Sequence, residues 1–94
     1  MYEAALAVEL QERSILFERQ KPIRIEYKGQ DIGHLRADLI VENRAIIEVK
    51  SVKALAPIHE AQLMTYLKVT KLKAGLLINF NEKVLTDGIK RIVM

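Results

Sequence analysis

The chain has no cysteine and no tryptophan, and its 94 residues include only three tyrosines and two phenylalanines. Without thiols there can be neither a disulfide framework nor a thiolate metal site. That fits a reducing compartment, and a cytoplasmic location is the expectation. So few aromatics leave little for stacking on bases, and no base-recognition motif is visible. No apolar run approaches the roughly 20 residues of a membrane-spanning helix. The N-terminus has no basic stretch leading into a long apolar one, so no signal peptide and no membrane partner are expected. Charge of one sign is only slightly in excess: the net +3 mildly favours an anionic partner such as nucleic acid. Internal repeats, low-complexity segments and linkers are absent too. A single small domain over 1–94 is expected, with a thin core built mainly from Leu, Ile, Val and Ala.

What is present centres on residues 38–50, Asp-Leu-Ile-Val-Glu-Asn-Arg-Ala-Ile-Ile-Glu-Val-Lys. Two apolar runs flank a polar tip, the pattern of an antiparallel hairpin. Side chains alternate along a strand, so Glu48 and Lys50 share a face with Val49 on the other, and Asp38 shares a face with Arg36 and Ile40. With the turn centred on Asn43, Asp38 stands opposite Glu48 and Arg36 opposite Lys50. Two opposed carboxylates repel, and a fold keeps such a pair when something positive sits between them. Lys50, Arg36 and a divalent cation are the candidates. Mg2+ commonly takes one or two carboxylates plus phosphate oxygens. A structural salt-bridge cluster is about as good an account of the spacing alone.

The rest of the chain supplies the frame. Residues 2–14 are rich in helix formers, with Glu9 and Arg13 as an i,i+4 pair. The broad apolar side of this helix predicts packing on a sheet. Residues 18–22 read as a polar connection or irregular strand, and 23–27 alternate cleanly as a half-buried strand. Residues 28–31 form a turn in which Gly29 can take a positive φ. Gly33 marks a bulge or close approach, and 34–41 and 45–51 are the next two strands. Pro57 suits the first turn of a helix running to Thr70, with Leu63, Met64 and Leu67 facing the core. Lys68, Lys71 and Lys73 gather near its C-terminal end, where the helix dipole explains them as well as phosphate binding does. The apolar run 74–80 suits a strand covered on both faces. Residues 81–88 read as a polar loop or short turn, and 89–93 as a last edge strand, with a helical turn as the alternative. The order is a mixed α/β layer with a β-α-β crossover, expected to be right-handed. His59, Gln62 and Tyr66 fall on one helical face that is polar where a core helix would be apolar.

On these residues the chain resembles the PD-(D/E)XK nuclease superfamily. Asp38 followed by Glu48-Val49-Lys50 resembles the Asp…(Asp/Glu)-x-Lys signature, and Gln62-Leu63-Met64-Thr65-Tyr66 is similar to the Gln-x-x-x-Tyr element of RecB-type members. Tyr2-Glu3-Ala4-Ala5-Leu6, Phe17-Glu18-Arg19-Gln20, Arg36-Ala37-Asp38-Leu39, Ile58-His59-Glu60-Ala61-Gln62-Leu63 and Gly75-Leu76-Leu77-Ile78-Asn79-Phe80 resemble the bacterial GxxExxY proteins over nearly the whole chain. The resemblance implies a restriction-endonuclease-like αβββαβ core, α+β in class, with a mixed central sheet flanked by helices. It implies Mg2+ or Mn2+ on Asp38 and Glu48, with the Val49 carbonyl as an extra ligand. Lys50 would orient or help deprotonate the attacking water, and Gln62 and Tyr66 would position the substrate. His59 reads more simply as a residue of the helix start. The implied partner is nucleic acid, DNA ahead of RNA, with a homodimer allowed. Tyr2 matches the last position of the family's N-terminal Gly-Glu-Tyr motif. The Gly and Glu would precede Met1, so an N-terminal segment is expected beyond this sequence. Glu3 sits at the wrong offset to replace the first-helix glutamate that completes many such metal sites. Two alternatives stand beside the nuclease: an inactive nucleic-acid-binding module on the same fold, and a protein-interaction module using the Ala-rich first helix.

Overall fold

The computed structural model describes residues 1–83 and 85–94. Helix α1 (Tyr2–Glu12) leads into β1 (Phe17–Tyr27), β2 (Gln30–Val41) and β3 (Ala45–Lys50). Helix α2 (Pro57–Thr70) connects to β4 (Ala74–Asn79), a single 3-10 turn (Leu85–Gly88) and β5 (Ile89–Val93). The five strands form one sheet in chain order. Among the described residues, only the β3–β4 pair is parallel. This is the restriction-endonuclease-like α+β arrangement, with β3-α2-β4 as its crossover.

Turn chemistry sets the two hairpins. Lys28 and Gly29 both have positive φ (51° and 78°), giving the two-residue turn whose twist matches antiparallel strands. The ladder consequently reaches Tyr27 opposite Gln30, so β2 begins earlier than the alternation from His34 indicates. At Gly33 (φ 153°) the β1–β2 register shifts and Ile32 is the extra residue, the expected bulge. The second hairpin turns through Glu42 and Asn43, both at φ 54°, and the Arg44 N–H donates to the Val41 carbonyl at 2.9 Å. Pairing of Leu39 with Ile47, Ile40 with Ile46 and Val41 with Ala45 is the register expected from a turn at Asn43.

The core lies in two layers, one on each side of the sheet. Under α2 are Ile23, Ala37, Ile40, Ile46, Leu63, Leu67 and Leu77. Under α1 are Leu39, Ile47 and Ile78, covered by Leu6, Leu10 and Phe17. Leu63 and Leu67, one turn apart, are fully buried; each contributes about 2–3 kcal/mol of apolar transfer. Met64 does not join them: it is 37% exposed, because one further residue rotates it off the buried stripe.

Strand alternation breaks where the hairpin matters most. Leu35 and Ala37 pack in the α2 layer, whereas Leu39 and Val41 pack in the α1 layer although the parity is unchanged. β1 does the same, with Phe17 in one layer and Ile23 in the other. Both strands therefore exchange faces between these residues, around Gln20 and Asp38. Asp38 accordingly does not continue one face with Arg36 and Ile40. The β2–β3 ladder ends at Leu39–Ile47, so Arg36 and Lys50 do not pair.

Candidate active site

The end of the β2–β3 ladder opens a gap that side chains fill. The Val49 N–H, with no β2 carbonyl to meet, donates to Asp38 Oδ2 at 2.8 Å. The Asp38 N–H donates to Glu48 Oε1 at 3.4 Å. Each acidic residue thus caps backbone left unpaired by the parting of the strands, which brings the two carboxyl groups together. A residue's N–H and C=O leave a strand on the same side, so the Val49 carbonyl points into this gap rather than toward β4.

The electrostatics follow from burial. Glu48 is only 5% exposed. Burial, with the Asp38 charge added, pushes its carboxyl up to about 8, against the partial relief given by the Asp38 N–H and the Lys50 charge. Lys50 shares the Glu48 face, yet its ammonium donates to Gln62 Oε1 at 3.4 Å. Among the described residues neither Asp38 nor Glu48 has a basic side chain within ion-pair distance. The salt-bridge cluster weighed above is therefore not what forms.

Helix α2 presents Gln62 through that bond to Lys50. Tyr66 lies half-buried beside the α2 layer. Burial, and then the Glu48 and Asp38 charges, raise the pKa of its phenol, which stays protonated near neutrality. His59 does not reach the carboxylates: its Nδ1 accepts the Ala56 N–H at 2.8 Å, capping the start of α2.

Two residues escape the sequence reading. Asn79 ends the apolar run of β4 and is fully buried. Its Oδ1 accepts the N–H groups of Val52 and Asn81 at 3.0 and 3.2 Å, and its Nδ2 donates to the Val52 carbonyl at 2.9 Å. It thereby clamps the segment just after Lys50. A single polar residue closing an otherwise apolar strand is the signal that marks it. Asn79→Ala is expected to cost about 2–3 kcal/mol by leaving buried backbone groups unpaired, read as a lower denaturation midpoint. The other is Gln20, whose amide approaches Asp38.

A divalent cation suits this donor set. Two carboxyl groups and a carbonyl on one gap provide only oxygen, the ligand type hard cations take. Among the described residues no third acidic side chain or histidine completes a cluster, which leaves positions for water and phosphate oxygens. Among the described residues, no helix is long and apolar enough to cross a membrane. No curated protein and no solved structure matches the chain. The family model of the PD-(D/E)XK nuclease superfamily, whose members generally use divalent metals, matches residues 1–92. The chain that carries this split hairpin, with its acidic pair and adjacent lysine, belongs to the PD-(D/E)XK nuclease superfamily.

Proposed function

We propose that residues 1–94 act as one metal-dependent nuclease domain hydrolysing phosphodiester bonds in nucleic acid, with DNA the preferred substrate. Asp38 and Glu48 hold Mg2+ or Mn2+, and the Val49 carbonyl is a further ligand. The observation that carries this reading is the buried Glu48 carboxyl, its pKa raised to about 8, beside the half-buried Asp38 carboxyl, with no basic side chain at ion-pair distance from either among the described residues. The likeness to the GxxExxY proteins supports it within the superfamily.

A cation bound there supplies Lewis acidity to the phosphodiester and lowers the pKa of a bound water. The chain's own residues supply the rest. Asp38 is held by the Val49 N–H through Oδ2, so Oδ1 is the oxygen not committed to that backbone group. From the Glu48 face Lys50 orients the attacking water and offsets negative charge developing on the phosphoryl group. Gln62 restrains the Lys50 ammonium. The protonated Tyr66 phenol serves as a hydrogen-bond donor for a phosphate oxygen, a role an ionised phenolate could not fill.

The test is cleavage of single- and double-stranded DNA and RNA with Mg2+ or Mn2+. The chain is expected to cut at least one of these. Lys50→Met should reduce the rate about a hundredfold or more while leaving cation binding in place. No cleavage of any substrate by a chain that binds the cation would favour the inactive binding module.

A further inference from the structure

From Phe17–Val41 to Ile25–Gly33, short of the bulge, the β1–β2 ladder keeps one register across a single gap. Arg19 pairs with Leu39 and Lys21 with Ala37, so Gln20 stands opposite Asp38 without joining the ladder. Gln20 has φ 49°. A residue with a Cβ pays for that left-handed backbone, and glycine or asparagine is the usual occupant.

The side chain gives a reason for glutamine. Its Nε2 donates to Glu3 Oε1 at 2.5 Å and lies 3.5 Å from Asp38 Oδ1. Carboxylates only accept, so the amide must turn its nitrogen toward both. Glu3 is anchored in turn, its Oε2 accepting from Arg19 at 2.8 and 3.2 Å. Arg19, Glu3 and Gln20 thus form a chain of donors and acceptors ending on the Asp38 oxygen that the Val49 N–H does not hold.

Resting on the metal site proposed above, we infer that Gln20 is a positioning residue for it. Its strained backbone aims the amide at Asp38 Oδ1, so that both Asp38 oxygens are oriented before a cation arrives. Partners of this kind around metal ligands are worth about 10–100-fold in affinity. The left-handed turn also serves the exchange of sheet faces, but that exchange needs only the backbone. Glycine would provide it with less strain.

The two roles separate in two variants, read by calorimetric Mn2+ titration and by thermal unfolding without metal. Gln20→Gly is expected to raise the midpoint by about 4 °C as strain is relieved, and to weaken Mn2+ binding about tenfold. Gln20→Met keeps the length and the strain without the donors. It should unfold as the parent does and show the same tenfold loss. Parent-like Mn2+ affinity in both variants would overturn the inference and leave the metal site standing. Absence of Mn2+ binding in the parent would overturn the metal site itself, and this inference with it.

Discussion

Glu48→Gln is expected to make the metal-free protein more stable at pH 8 and at the same time to abolish divalent-cation binding. The two effects have one cause. At pH 8 about half of the Glu48 side chains carry a charge that burial and Asp38 both oppose. The neutral amide removes that charge and keeps the geometry. Its oxygen can still accept the Asp38 N–H, and its nitrogen can donate to the Asp38 carboxylate. Each kcal/mol gained moves the midpoint of a domain this size by about 4–8 °C. The cost falls on the cation, which loses a charged ligand, and the affinity should drop about a hundredfold or more. That exceeds the loss expected for a residue that merely supports a ligand. A variant that gains stability while losing binding marks a site held at the expense of the fold. A residue kept for the fold would lose both together.

The second large effect is on pH. Glu48 must shed its proton to ligate a cation, and below about 8 it is largely protonated. Cation affinity is therefore expected to rise roughly tenfold per pH unit between 6 and 8 and then to level off. About one proton should be released per ion bound at pH 7, and close to none at pH 9. Calorimetry in two buffers of different ionisation enthalpy reads that proton directly. Metal-free stability runs the other way. The folded-state pKa of Glu48 lies above the ordinary carboxylate value, 4.5, that applies to the unfolded chain. Its contribution to stability is fully present below 4.5 and is lost as pH rises through about 8. The slope is at most about 1.4 kcal/mol per pH unit. An affinity independent of pH over this range would mean that Glu48 is not a ligand.

Much of this was legible in the residues because it rests on local patterns. The register of the β2–β3 hairpin follows from polar Glu42-Asn43-Arg44 between two apolar runs, and the observed pairs agree. The apolar run of β4 and Pro57 at the head of α2 are equally direct. The exchange of sheet faces was not legible. It depends on a left-handed backbone at Gln20, a residue type that gives no warning of one, and on the parting of β2 from β3. Strict alternation therefore put Asp38, Arg36 and Ile40 on one face, which the exchange prevents. Glu3 and Gln20 lie 17 positions apart, so their meeting is tertiary and no spacing motif encodes it. The offset of Glu3 still gave useful information. It does not complete a three-carboxylate cluster, and its carboxylate is occupied by Arg19 and Gln20.

The central claim is that Asp38 and Glu48 share one divalent cation, and Mn2+ titration by calorimetry at pH 8 tests it most directly. The account predicts one site per chain in the parent and no measurable binding in Asp38→Asn, with the variant still folded by circular dichroism. Binding that persists unchanged in Asp38→Asn, or a folded parent that takes up no Mn2+, would contradict it.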